Sequence, residues 1–417
     1  MIEPLPRGKI KTLHVSTPQG ASGRLLREAQ FVFNYETQDR QREISLVMPL
    51  RAASYTGHRV MPVLAMNLPE GSLRERIKAR YGKQFARLDD MAMLAIVGHD
   101  QIGRLTVSEP SLPPSTPGAR IGLRELLRAR ASDALFDYLL DTYLACGVSG
   151  VQPKVLVPDA EAWQAGGAAR TTARLSDLIV KASGAAYPDL AQNEFLCMDA
   201  ARRAGIDVPE FFLSDDASLF VMRRFDRTAA GERLGFEDMS ALSWQTHDEY
   251  GQYKYGGSYE KILAVIEACC GANAAESKQR FFEYFAATCM MRNGDAHMKN
   301  FGLLYAAPDD PAGARLSPMF DVVTTSIYGN AHPVTGQIAQ DRTLALKLGK
   351  SNAYPDRKAL IAFGHRCNVL RPQQVLERIA AGMTASLQAH RDRVQAGLWE
   401  RMKKEWDWSR LVLDSKK

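Results

Sequence analysis

The stretch RNGDAHMKNFGLLY, residues 292–305, crowds Asp295, His297, Lys299 and Asn300 into six residues between two apolar segments. Upstream, ESKQRFFEYFAATCMMRN (276–293) carries Phe281, Phe285 and Cys289 on one stripe of a helix. Downstream, FGLLY predicts a short buried strand, and Gly294 is placed to end the helix as a C-cap or turn residue. Polar side chains between two buried elements form either a solvated connection or a site on rigid supports.

Taken alone, Asn293-Gly294-Asp295 is ordinary turn chemistry. The spacing argues for more. Asp295 and Asn300 lie five apart, the interval at which the protein-kinase catalytic loop carries an acceptor-orienting Asp and a magnesium-binding Asn. LSPMFDVVTT (316–325) then offers a second ligand: Asp321 follows an apolar run ending in Phe320, the place of a metal-binding acid at a strand end. A lone Asp there reads as a turn residue; beside a D-x-x-x-x-N loop it reads as a ligand.

Phosphoryl transfer asks the protein for cations on the phosphates, held metal and an oriented acceptor. In DLIVKASG (177–184), Lys181 ends an apolar strand. PDLAQNEFLCMDAARRAGIDVP (188–209) predicts a helix with Leu190, Cys197, Ala201 and Ala204 on one face, ended by Gly205, and Glu194 falls on that face. A core-facing carboxylate needs a partner. Lys181 supplies it, either as a structural ion pair or as the strand-Lys, helix-Glu pair that holds a lysine against nucleotide phosphates. ACGVSGVQPKVLV (145–157) leads into a strand through Gly147, Ser149 and Gly150, a plain Gly-rich turn or a phosphate cradle, with Gln152 and Lys154 facing anything bound beneath it. SLFVMRRFDR (218–227) lies where a two-lobed kinase has its hinge; there backbone groups meet adenine, leaving the identities of Arg223 and Arg224 free, while Asp226 and Arg227 read as structural.

At 417 residues the chain predicts two or three domains. Hydrophobic residues at 46% and charged residues at 24% place it among globular proteins, not disordered or fibrous ones. Lys and Arg exceed Asp and Glu by only 53 to 47, too mild a bias to argue for a nucleic-acid binder. No recognition-helix motif or concentrated basic patch indicates direct DNA contact. The cysteines show no CxxC spacing, which predicts buried reduced thiols. MIEPLPRGKIK lacks an apolar signal segment, and the longest uncharged apolar stretch, MAMLAIVG (91–98), is far short of the roughly 20 residues that span a bilayer, so a cytoplasmic protein is expected. Residues 1–107 mix strand-like runs (KTLHV, REISLVMPL) with a charged helix (GSLRERIKARYG); Pro/Ser-rich 108–119 is a linker; GLRELLRARASDALFDYLLDTYLA (122–145) has helical periodicity; KVLV, DLIVKAS and SLFVMRRFD are strands. From about 240 onward the pattern is helical except around FGLLY. His14, His58, His247, His332, His365 and His390 are scattered without metal spacing. EWDWSR reads as an aromatic packing cap, and DRTLALKLGK (341–350) as a strand or helix edge.

The ordered set GVSGVQPK, VK, NE, RRFDR, GDAHMKN and MFDV resembles the HipA family of bacterial toxin kinases over nearly the whole chain. Residues 1–107 look like that family's preceding small domain, notably NLPEGSLRERIKARYG (67–82) followed by MLAIVGHDQIGRLTV (93–107). The resemblance implies an α+β, two-lobed protein-kinase-like fold: a strand-rich N-lobe (120–235) and a helical catalytic C-lobe (236–417) after a small α+β subdomain. It implies an ATP- and magnesium-dependent serine/threonine protein kinase. Its partner would be a HipB-like dimeric helix-turn-helix antitoxin that carries it to DNA indirectly, and its substrate a protein such as an aminoacyl-tRNA synthetase. Asp295 would be the catalytic base, and Asn300 and Asp321 the magnesium ligands. Lys181, paired with Glu194, would hold phosphate. Ser149, Gly150, Val151, Gln152, Pro153 and Lys154 would cover the phosphates, His297, Met298 and Lys299 would line the nucleotide site beside Phe320, and Arg223, Arg224 and Phe225 would form the adenine hinge. Family members often carry a regulatory serine two residues before the position of Ser149; here Gly147 stands there, which leaves Ser149 as the expected autophosphorylation site. Two other readings stay open: a small-molecule or lipid kinase, since the same loop serves such acceptors, and a catalytically silent kinase fold acting as co-repressor through an antitoxin.

Overall fold

The computed structural model describes residues 9–83, 85, 88–110, 122–128, 154–157, 177–183, 187–246, 252–331 and 338–414. Gly147, Ser149, Gly150, Val151, Gln152 and Pro153 lie outside them, as do residues 111–119 of the expected linker.

Alternating apolar residues build an N-terminal antiparallel sheet from β1 (Thr12–Thr17), β2 (Gly20–Arg27), β3 (Phe31–Tyr35), β4 (Tyr55–Gly57) and β5 (Thr106–Ser108), in the order β4-β3-β2-β1-β5. Three helices, α1 (Pro62–Ala65), α2 (Gly71–Tyr81) and α3 (Asp90–Val97), accompany it. Helix α3 is apolar all round and buried from Met91 to Val97, and the Asp89 carboxylate caps it by accepting from Ala92 N. REISLVMPL is not the expected strand. Its backbone is committed to side chains instead: Ile44 N donates to the Tyr35 hydroxyl, Leu50 N to Glu43, and Leu46 N to the distant Glu237. A short helix, α4 (Leu123–Arg128), is the described part of the 122–145 helical reading.

The second sheet joins β6 (Lys154–Val157), β7 (Leu178–Ala182), β8 (Phe211–Leu213) and β9 (Leu219–Arg223) in the order β6-β7-β9-β8, all antiparallel. Period-two alternation divides it between two cores. Val155, Val157, Leu178, Val180, Leu219 and Val221 pack with the N-terminal domain. Leu156, Ile179, Phe220 and Met222 pack with the following helix and the C-terminal half. Burial on both faces explains why these strands read as continuous apolar runs.

Helix α5 (Leu190–Arg203) is buried from Leu190 to Ala201, not along one stripe as expected. The helix Pro372–Ala389 closes its other side: a Cβ on Gly382 would meet Ala200 O at 2.5 Å. A third sheet, β10 (Gly235–Asp238), β11 (Gly302–Tyr305) and β12 (Arg315–Leu316), carries the FGLLY strand in its centre. Around it lie α6 (Met239–Leu242), α7 (Tyr259–Cys269), α8 (Ala274–Met290), α9 (Arg357–Arg366), α10 (Pro372–Ala389) and α11 (Ala396–Asp414). The half is less purely helical than expected, since β13 (Gly329–Ala331), β14 (Ile338–Gln340), β15 (Thr343–Leu348) and β16 (Ser351–Ala353) form two antiparallel pairs, β15 lying within the DRTLALKLGK region. EWDWSR does pack as a cap: Trp406 is fully buried and its indole N–H donates to Thr324 Oγ1 at 2.9 Å. No helix among the described residues is long and apolar enough to cross a membrane.

Candidate active site

Lys154 on β6 and Lys181 on β7 are direct cross-strand partners. Like charges so placed repel and destabilise a sheet. Here carboxylates compensate: Lys181 Nζ lies 2.6 Å from Glu194 Oε1 of α5 and 2.7 Å from Asp321 Oδ1, and Lys154 Nζ lies 3.8 Å from Asp321 Oδ2. Both lysines point to the face shared with α5, which is why Glu194 can reach across. Burial opposes charge on Lys181, but Asp321 and Glu194 overcome it and hold the ammonium above the usual lysine range. Burial pushes Glu194 up and Lys154 down. Burial would also raise Asp321, yet Lys154 and Lys181 keep it well below the usual carboxylate range. Asp321 is not at a strand end as expected: β12 stops at Leu316 before Pro318, and Asp321 stands in irregular backbone at φ 59°. For a non-glycine residue that conformation costs about 1–3 kcal/mol and persists only where the surroundings hold it.

The 292–300 loop is fastened from several sides. Arg292, at φ 58°, reverses the chain after α8, so the left-handed residue that ends the helix is an arginine and not Gly294. Its guanidinium lies 4.6 Å from the Tyr354 ring centroid and 4.2 Å from that of Trp408, which holds the strained position. Gly294 is required for space: a Cβ would meet Thr343 O at 2.7 Å and Thr325 Oγ1 at 2.9 Å. Tyr259 OH donates to Ala296 O at 3.0 Å, and Asn293 Oδ1 accepts from Asp295 N. The turn Met298–Asn300 begins with reciprocal bonding, His297 N donating to Asn300 Oδ1 at 2.9 Å. Asn300 Nδ2 then donates to Asp321 Oδ2 at 3.1 Å, so the two expected metal ligands touch. Asp295 is open to solvent at its tip; protein packed around it raises its carboxyl, opposed by Lys254 and by the Tyr255 hydroxyl. Burial, then Lys254, keeps His297 neutral at physiological pH.

Sequence reasoning passed over QYKYGG (252–257), which clasps this loop. Tyr255 OH donates to Asp295 Oδ1 at 2.8 Å, and its ring stands edge-on to His297 at 5.3 Å. Lys254 is buried beneath the Tyr255 ring. A Cβ on Gly257 would meet Met298 Sδ at 2.6 Å, so the turn lies directly against the Met298 side chain. Also missed was Glu70 of the N-terminal domain, 2.8 Å from Lys299 Nζ. The tyrosines and glycines gave a turn signal at most, and no spacing rule links residues 229 apart.

At the expected hinge, the guanidinium groups are committed elsewhere. Arg223 pairs with Glu210 at 2.6 Å. Arg224 is buried and forks onto Asp226, at 2.9 and 2.7 Å, with further bonds to Asp100 and Gln101 O of the N-terminal domain. Phe225 stacks against Phe320 at 5.0 Å and Phe236 at 5.5 Å, an aromatic floor that joins the hinge to the segment carrying Asp321.

The profile of the HipA-like C-terminal domain matches residues 146–390, and that of the HipA N-terminal domain residues 13–108. The chain belongs to the HipA family. This HipA-family chain has the fold of the HipA protein of Shewanella oneidensis MR-1, solved with HipB and operator DNA: TM-score 0.67 at 19% identity, covering 97% of this chain and 100% of that one. In sequence it is 28% identical over 285 residues to the Sinorhizobium fredii protein named "Putative kinase Y4dM", covering 64% of this chain and 63% of the relative. A "Putative kinase" of Haemophilus influenzae is 28% identical over 193 residues, 43% of this chain and 53% of the relative. The chain thus matches between half and two-thirds of the length of these relatives.

Magnesium takes oxygen donors and is commonly bound by one or two protein groups together with phosphate. Among the described residues no cluster of three or more His, Cys, Asp or Glu side chains would hold a metal by itself. Asp321 offers a carboxylate, and Asn300 an amide whose nitrogen faces that carboxylate and whose Oδ1, already accepting from His297 N, keeps a second lone pair. Next to them Glu194 Oε2 and His297 Nδ1 are buried without a protein partner. The donor set fits a magnesium-bound nucleotide.

Proposed function

We propose that the protein is an ATP- and Mg2+-dependent serine/threonine protein kinase, the toxin of a HipA/HipB-like pair. The observation that carries this reading is the cross-strand lysine pair. Two ammonium groups set side by side at the edge of a buried sheet, bridged by one carboxylate that also meets Asn300, are what a triphosphate with its metal requires. In the reading, Lys181 and Lys154 face phosphate, and Glu194 keeps Lys181 in place. Asn300 and Asp321 would hold magnesium, which would neutralise charge developing on the phosphates. Asp295 orients the acceptor hydroxyl and accepts its proton, and its raised carboxyl suits that exchange. The nucleotide base lies against Phe225 and Phe320, with hinge backbone near Arg223 and Arg224, while Met298 and His297 close the site. Ser149 to Pro153 cover the phosphates, and a phosphate on Ser149 would place about two negative charges where those of ATP belong.

The division into 1–107, 108–119, 120–235 and 236–417 is kept with this reading, as is a cytoplasmic location. The Shewanella protein's assembly with HipB and operator DNA supports a small DNA-binding antitoxin as partner. An aminoacyl-tRNA synthetase is the substrate class to try first. Calorimetry with a non-hydrolysable ATP analogue tests the site: wild type should bind only with Mg2+, and Asp321→Asn should abolish that dependence. No binding by wild type in either condition overturns the reading. Peptide mapping after incubation with Mg2+ and ATP should find phosphate on Ser149, absent in Ser149→Ala.

A further inference from the structure

Lys299 sits one residue before Asn300, and its ammonium is engaged from outside the kinase core. Glu70 occupies the N-cap position of α2, yet its side chain does not cap that helix. Its carboxylate, almost fully buried, takes Lys299 Nζ at 2.8 Å, and Tyr253 OH donates to the same oxygen at 3.2 Å. Asp238 of β10, buried and capping α6 through Ala241 N, is the other carboxylate close to this ammonium. Lys154 and Lys254 add positive charge nearby.

We propose that Glu70 is a positioning residue for the catalytic loop, acting through Lys299 to keep the Asn300 amide against Asp321. With Glu70 neutral, Lys299 is a buried cation left with Asp238, and the turn it shares with Asn300 would shift to repair the pairing, drawing the Asn300 amide off Asp321. A domain that precedes the kinase core thereby completes the core's site, and its NLPEG segment has a role in phosphoryl transfer as well as in packing. The inference rests on the kinase reading.

The test is a cycle of Glu70→Gln, Lys299→Met and the double variant, read three ways. In ligand-free protein, Glu70→Gln should speed hydrogen exchange across residues 293–303. In turnover it should lower kcat about 10- to 100-fold, the loss expected when a reacting group is displaced by an ångström. The Mg2+ needed for half-saturation should rise several-fold while KM for ATP changes little. In the Lys299→Met background, Glu70→Gln should add nothing in any readout, because no buried cation is left unpaired. If Glu70→Gln alone does not fold, the double variant should still fold and match Lys299→Met. Unchanged exchange in ligand-free Glu70→Gln, or an undiminished Glu70→Gln effect in the Lys299→Met background, overturns the proposal. An inactive wild type with altered exchange in Glu70→Gln would instead count against the kinase reading and leave the positioning role standing.

Discussion

Two buried ion networks lie in this molecule, and they differ in how their charges are matched. Near the expected hinge, Arg224, Asp226, Arg227 and Asp100 form a cluster in which Arg224 is forked onto Asp226 and Gly103 N donates to Asp226 Oδ2 at 2.6 Å, although Arg227 Nε and Nη2 stay buried without a hydrogen-bond partner. Burial opposes both charges, but pairing wins, holding Asp226 below and Arg224 above their usual ranges. In the cleft, two lysines face each other across a sheet, Asp321 takes a left-handed backbone, and Glu194 and His297 keep buried atoms without a protein partner. The first network joins two domains. The second sets like charges side by side beside a strained backbone, and local cost of this kind is the mark of a site more than buried charge is.

That contrast is sharpest under substitution. Lys181→Met strands the buried Glu194 carboxylate and should cost stability too. Even so, the folded fraction should show phosphoryl transfer reduced about 100- to 1,000-fold, as loss of one preorganised charge contact commonly gives; unchanged transfer per folded molecule would erase the distinction. Arg224→Met should do the reverse. Taking one of its two guanidinium partners from Asp226 ought to cost up to about 3–5 kcal/mol in denaturant unfolding, with nucleotide affinity of the folded fraction unchanged.

A smaller effect is expected at Tyr255. Its hydroxyl lowers the Asp295 carboxyl against the raising effect of burial. Since the base must be ionised to work, activity should fall as pH falls through a value above the ordinary carboxyl range, and Tyr255→Phe should move that acid limb to higher pH. An unmoved limb would remove Asp295 from the role of base.

The smallest effect concerns Asp238, which burial raises from 3.8 to about 6. A carboxyl raised on folding favours the folded state most below its unfolded value, and that contribution fades as pH rises through about 6. Asp238→Asn should therefore gain stability relative to wild type between pH 4 and pH 6, measured by urea unfolding at each pH. A flat difference would contradict the assignment.

The strands and helices around the cleft were legible because their periodicity is local: KVLV, DLIVKAS, the 190–203 helix and FGLLY each announce themselves within a few residues. Lys181, Glu194, Asp295, Asn300 and Asp321 were legible as a group because kinase spacing is a pattern that sequence can hold. What sequence could not hold was packing. Gly294 looked like a helix stop, yet Thr343 and Thr325 leave it no room for a side chain, while Arg292 makes the reversal because two aromatic rings flank it. REISLVMPL has strand composition, but Tyr35, nine residues away, and the distant Glu237 claim its backbone. Glu70 and Tyr255 belong to the site through contacts whose partners lie 229 and 40 residues away. Arg224 sat in a hinge motif, and only the neighbouring domain reveals that its side chain is spent on cohesion.

The account stands or falls on whether the cleft moves a phosphate. Dephosphorylated wild type and Asp295→Asn would each be incubated with γ-labelled ATP and Mg2+, alone and with purified aminoacyl-tRNA synthetases, and label followed into protein by mass and autoradiography. The account predicts label in the wild-type reactions and at least a hundredfold less with Asp295→Asn. Equal labelling by both proteins, or none by either although both bind the nucleotide, would contradict it.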